Sequence, residues 1–131
     1  MAEMTKKTAG NLSYYTQLLT LGSTASVNSN WFQFARLNDA LAALNVSFRF
    51  EFKGTLVGTN IDVNLLGGFK EDGTDAIEII TDMVTALTDT TPAQVMKDLK
   101  ATPYPFYFIE ADSDADETAN GLQIDIFGAD V

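Results

Sequence analysis

Thr74-Asp-Ala-Ile-Glu-Ile-Ile-Thr-Asp-Met-Val-Thr-Ala-Leu87 is the stretch on which the fold turns. Its apolar residues Ala76, Ile80, Met83, Val84 and Leu87 recur at intervals of three and four, while Asp75, Glu78, Asp82 and Thr85 fall mostly elsewhere on the helical wheel. That period predicts an amphipathic helix over 74–87, with acidic residues near its N-terminus, where the macrodipole favours them. Downstream, Thr91 is placed to cap a second helix, Pro92 suits its first position and Gln94 completes a capping box. This helix is expected to run to Lys100, with Val95, Met96 and Leu99 as its apolar stripe, until Pro103 and Pro105 stop it.

Upstream the period changes to two. Val46, Phe48, Phe50 and Phe52 alternate with Ser47, Arg49, Glu51 and Lys53, which predicts a strand with one dry and one wet face. Gly58-Thr-Asn60 reads as a turn, and Ile61, Val63 and Leu65 against Asp62 and Asn64 repeat the alternation, so an antiparallel hairpin is expected. Gly67-Gly68 is expected to bend or bulge the returning strand. A second hairpin is expected from Phe106-Tyr-Phe-Ile-Glu-Ala111 and Leu122, Ile124, Ile126, closed by the Asn120-Gly121 turn signal. Ser13 to Leu21 reads as a further strand, 22–30 as a polar loop, and 35–44 as a short helix with Leu37, Leu41 and Leu44 on one side. Trp31 is expected in the core or at its rim.

The expected class is therefore α+β: a mainly antiparallel sheet of about five strands, with two to three helices packed on one face. The alternative is a β-sandwich with helical insertions. Residues 1–10 are polar and aperiodic and read as a flexible N-terminal arm, followed by a single domain over 11–131.

Composition narrows the chemistry. The chain has 131 residues, 46% of them hydrophobic, with 8 basic and 18 acidic side chains and neither Cys nor His. One core of this size holds without staples. Disulfides and Cys-ligated zinc are excluded, as are Ser-His-Asp, Cys-His and His-metal catalysis. A net charge of -10 with scattered lysines opposes binding to nucleic acid or to an anionic membrane surface. No apolar run reaches the length of a membrane-spanning helix, and residues 1–13 lack the apolar core of a signal peptide. A soluble chain is expected, in a virion or the cytoplasm and not secreted through a signal peptide.

Three constellations are candidates for chemistry. Asp112, Asp114, Asp116 and Glu117 resemble the opening of a calcium loop, but Glu117 stands where that loop needs Gly, and Gln123 where it needs a bidentate Glu. A solvated hairpin tip is the simpler reading. Glu51 and Glu110 are carboxylates on expected strands, yet nothing in their spacing sets them across a cleft as a glycosidase requires. Gly67-Gly68 lacks the Gly-Lys-Ser/Thr ending of a phosphate loop. No catalytic residue, cofactor or metal is expected, and the chain reads as non-enzymatic.

Phe106 to Ile109 is apolar on both faces, so Tyr107 and Ile109 are candidates for an interface with a partner. A short acidic chain with polar loops and no reactive side chains resembles, in composition, small phage virion components such as capsid decoration or tail proteins. A structural protein is expected, self-associating or particle-binding, with copies of itself or other virion proteins as partners. The alternative is an acidic inhibitor or binding module that presents carboxylates to a basic protein, as a nucleic-acid mimic does.

Overall fold

The computed structural model describes residues 1–10, 12–22, 26–33, 45–99 and 104–129. These form nine strands: β1 (Thr5–Ala9), β2 (Leu12–Thr20), β3 (Val27–Asn28), β4 (Asn45–Lys53), β5 (Ile61–Gly68), β6 (Ile77–Leu87), β7 (Ala93–Asp98), β8 (Phe106–Ser113) and β9 (Gly121–Ala129). Among the described residues there is no helix, and hence none long and apolar enough to cross a membrane. The strands build two antiparallel sheets, ordered β1-β2-β9-β4-β7 and β3-β8-β5-β6. With β1 set aside as an added edge, two four-stranded sheets remain in which most consecutive strands change sheet. That order is a jelly roll.

The α+β expectation is thus overturned in favour of the sandwich. The predicted helix over 74–87 is β6, and the reason lies in its register. Ile61, Val63 and Leu65 of β5 pair with Leu87, Val84 and Ile80, so two-residue steps on β5 match steps of three and four on β6. Extra residues are extruded as bulges, with Asp82 at φ 53° and Ala86 at φ 57°. A doubly bulged strand therefore returns its inward side chains at the spacing of an α-helix. The predicted helix over 92–100 is β7, with Ala93, Val95 and Lys97 half-buried and Gln94, Met96 and Asp98 exposed. Local capping signals lose there to pairing with β4. The helix expected over 35–44 lies outside the described residues.

Both expected hairpins are also corrected. β4 pairs with β9 and β7, whereas β5 pairs with β8 and β6, so the 54–60 connection crosses between sheets. β8 and β9 are separated in the same way. Each of these strands carries one fully apolar face, and two such faces are better buried against each other across a sandwich than side by side in one sheet. Gly67-Gly68 ends β5, one step after the register shift between Leu65 and Leu66. Residues 1–10, expected as an arm, contain β1 paired along β2, and the Met4 side chain is buried.

The main core lies between the sheets and is built from Tyr15, Phe48, Phe50, Ile61, Val63, Leu65, Ile109, Leu122, Ile124 and their neighbours. A second, smaller core lies outside the β3-β8-β5-β6 sheet, where Trp31, Leu66 and Phe108 are buried with Phe106 and Ala76 against them. The turn after β5 folds over this face. Gly73 sits at φ 72°, and a Cβ there would stand 3.4 Å from the Phe108 ring.

Candidate functional site

The second core answers how β8 can be apolar on both faces. Tyr107 and Ile109 point into the main core, at 2% and 0% exposure, while Phe106 and Phe108 face the second core. The interface expected at Tyr107 and Ile109 therefore has no exposed side chain to carry it. Phe32 stacks on Tyr107 with ring centroids 6.0 Å apart, a contact made within the chain. Glu51 lies on the outer face of the larger sheet and Glu110 on the outer face of the smaller, so the sandwich separates the two carboxylates.

In the acidic segment expected as a solvated tip, Asp112, Asp114 and Asp116 are exposed but Glu117 is not. Glu117 is fully buried, and its carboxylate accepts the backbone N–H of Val57 (2.9 Å), the N–H of Gly58 (2.7 Å) and the Asn120 side-chain amide. Its own N–H donates to the Gly22 carbonyl. Asp114 accepts the N–H of Thr59, and Asp89 that of Leu56. Three carboxylates from two connections, β8–β9 and β6–β7, thus pin the β4–β5 loop, because an acidic side chain satisfies backbone donors that no strand pairs. Asp116 accepts the backbone N–H and the hydroxyl of Thr118, which hold its carboxyl below the usual range. Asp62 and Asp112, opposite in register, line a polar depression of about 90 Å³ with Asp114, Asn60 and Ser113. Among the described residues no three acidic, His or Cys side chains are placed to hold a metal ion.

The outer face of the larger sheet is different. Register sets Lys7, Tyr14, Phe127, Ser47 and Met96 in one row across all five strands. Tyr14 and Phe127 stack with centroids 4.5 Å apart and planes 12° from parallel. The next row is Thr5, Thr16, Asp125, Arg49 and Gln94. Here Thr16 donates to Asp125 (2.7 Å) and Gln123 to Thr16 (2.8 Å), which fixes the side chains in place. Leu18 and Met96 stand 58% and 70% exposed on this face. A hollow of about 510 Å³ lies between β4 and β7, lined by Ser47, Arg49, Gln94, Met96 and Phe127.

Electrically this face is balanced. Lys7, Arg49 and Lys53 stand beside Glu51, Asp125 and Asp98, in a chain whose net charge is -10. Lys53 hydrogen-bonds Glu51 and Arg49 approaches it at 3.6 Å; the lysine first, then the arginine, hold the Glu51 carboxyl below its ordinary range.

Sequence reasoning assigned Met96 to a buried stripe and passed over Tyr14 and Phe127. A signal for Phe127 was present, since it continues the wet phase of Gln123 and Asp125 opposite Leu122, Ile124 and Ile126. An aromatic in the polar phase of a strand marks a face that is not simply solvated. The sequence matches no protein-family model, and no curated relative resembles it.

Proposed function

We propose that the chain is a non-enzymatic structural protein that assembles with copies of itself through the outer face of its five-stranded sheet, as a subunit or decoration of a larger particle such as a phage virion. The observation that carries this reading is an asymmetry between the sheets. On the smaller sheet Trp31 and the turn after β5 cover Leu66 and Phe108, leaving Phe69 and Ile77 exposed at that end, whereas the larger sheet leaves Tyr14, Phe127, Leu18 and Met96 partly or largely exposed across its outer face. Copies of a chain with net charge -10 repel one another through most of their surface, and the balanced face is where two can meet without that cost. The jelly roll supports the reading only by analogy, since capsid, lectin and cupin domains all use it.

Light scattering on the native chain tests this. Association well above the 14.2 kDa of one chain is expected at micromolar concentration, and Phe127→Glu should lower it while leaving the melting temperature within a few degrees. A chain that stays monomeric up to millimolar concentration sinks the proposal. One observation favours a second reading, an acidic module for a basic partner: Asp62, Asp89, Asp112, Asp114 and Asp116 gather around the loops that Glu117 ties together. That reading requires a monomer that captures a basic protein at low salt and releases it at high salt.

A further inference from the structure

The outer face of the larger sheet carries opposite charges, paired in register, that do not meet within the chain. Arg49 of β4 and Asp125 of β9 stand directly opposite each other. Arg49 turns along its own strand to Glu51 at 3.6 Å, and Asp125 takes the hydroxyl of Thr16 and the amide of Gln123 on one carboxylate oxygen, so among the described residues the two form no ion pair with each other. The guanidinium keeps donors, and the carboxylate its second oxygen, for a group above the sheet. Beside them lie a projection and a recess. Tyr14 and Phe127 stack on β2 and β9, and the hollow of about 510 Å³ lies between β4 and β7.

We infer that two copies pack these faces together about a two-fold axis that runs parallel to the strands, midway between β4 and β9. Such an axis sets each residue of one strand over the second copy of its own register partner, so the contacts follow from the pairing. Arg49 of each copy lies over Asp125 of the other, Glu51 over Gln123 and Ser47 over Phe127. One strand further out β2 lies over β7, so Tyr14 meets Met96 and Thr16 meets Gln94. The stacked Tyr14 and Phe127 rings thereby enter the hollow of the second copy, and two ion pairs form where each chain alone has none. Charge and shape choose this axis over its neighbours. A two-fold along β9 sets Asp125 on Asp125 and Leu18 on Glu51, and one along β4 sets Arg49 on Arg49 and Glu51 on Glu51. A two-fold across the strands keeps β2 and β9 over themselves, and the stacked rings then miss the hollow. Two sheets aligned within about 30° pack face to face in this way, and an isologous contact closes on itself as a dimer. This inference deepens the assembly reading by naming the contact, and it rests on that reading.

Mixing two charge variants tests the contact. Arg49→Glu sets a carboxylate on Asp125 of the second copy, and Asp125→Arg sets a guanidinium on Arg49; each should weaken its own dimer by about tenfold or more, since each acts twice across the axis. Asp125→Arg exchanges an acid for a base in a chain of net charge -10, so general repulsion alone gives the opposite result, a tighter dimer. An equimolar mixture of the two variants should recover the affinity of the parent to within about threefold. In the mixed dimer the new carboxylate faces the new guanidinium, and native Asp125 faces native Arg49. A rescue between chains that each fail alone cannot arise inside either of them. Light scattering and native mass read the species, and melting within a few degrees of the parent shows that each variant is folded. Should Asp125→Arg not fold, Asp125→Asn, which still accepts the Thr16 hydroxyl, replaces it, and its mixture with Arg49→Glu should associate more tightly than Arg49→Glu alone. Single variants that dimerise as the parent does, or a mixture no tighter than its parts, overturn this contact. If Phe127→Glu still disperses the assembly in that case, the outer-face reading survives; a chain monomeric throughout overturns both.

Discussion

The side-chain carbonyl of Asn64 accepts the backbone N–H of Asp82 at 2.7 Å, and its amide donates to Glu110 at 2.9 Å. One buried side chain thereby ties β6 and β8 to β5 and satisfies a donor that the bulge takes out of the ladder. Two residues earlier, Asp62 does the same for Ala86 at 3.1 Å. The bulges of β6 are held by polar side chains of the neighbouring strand.

Asn64→Ala removes both bonds and strands the Asp82 N–H. A loss of about 1–3 kcal/mol is expected in urea unfolding, with Asp62→Ala milder because its bond is exposed. Equal and negligible effects would show that the bulge is held by something else.

Ala86→Gly should stabilise the chain by up to about 1 kcal/mol. Alanine at φ 57° carries a left-handed strain that glycine relieves, partly offset by the greater freedom of glycine in the unfolded state. A fall in the melting temperature would count against strain at this position.

Glu117→Ala removes the buried carboxylate that accepts the N–H groups of Val57 and Gly58. A cost of about 2–3 kcal/mol is expected, with faster hydrogen exchange at those two amides. Unchanged exchange there would mean that the carboxylate does not organise the loop.

Phe50→Ala should cost about 3–5 kcal/mol, against less than about 0.5 kcal/mol for Arg49→Ala on the opposite face of β4. Tyr107→Asp places a charge in the main core and should unfold the isolated chain outright. A folded Tyr107→Asp variant would contradict the burial on both sides of β8.

Glu51, Asp72 and Asp116 all have carboxyls below their ordinary range: Lys53 bonds Glu51, and the backbone N–H and hydroxyl of Thr74 and Thr118 bond the two aspartates. A carboxyl lowered by folding adds stability above its unfolded pKa, and that stability is lost as the pH falls through the folded value. Unfolding free energy measured downward from about pH 5 should therefore drop, and Asp116→Asn should make the drop shallower. A variant with the same slope as the parent would remove Asp116 from the account.

What the sequence by itself determined were the places where local pattern and burial agree. The alternation of Val46 to Lys53 and of Leu122 to Ile126 marked strands with the correct inward side chains, because a period of two survives any choice of partner, whereas Phe106 to Ala111, apolar on both faces, was legible as a strand but not as to which face turns to the main core. The absence of Cys and His and the net charge of -10 were likewise legible without a fold. Only the tertiary structure decided which strands pair. A hairpin between β4 and β5 and a crossing between sheets expose the same alternation, and the choice rests on loops that Glu117 pins from the far side of the sandwich. It also decided the identity of β6, where Asn64 and Asp62 pay for bulges whose spacing mimics a helix. The outer-face row of Tyr14, Phe127 and Met96 draws one residue from each of three strands distant in sequence, so nothing local could assemble it.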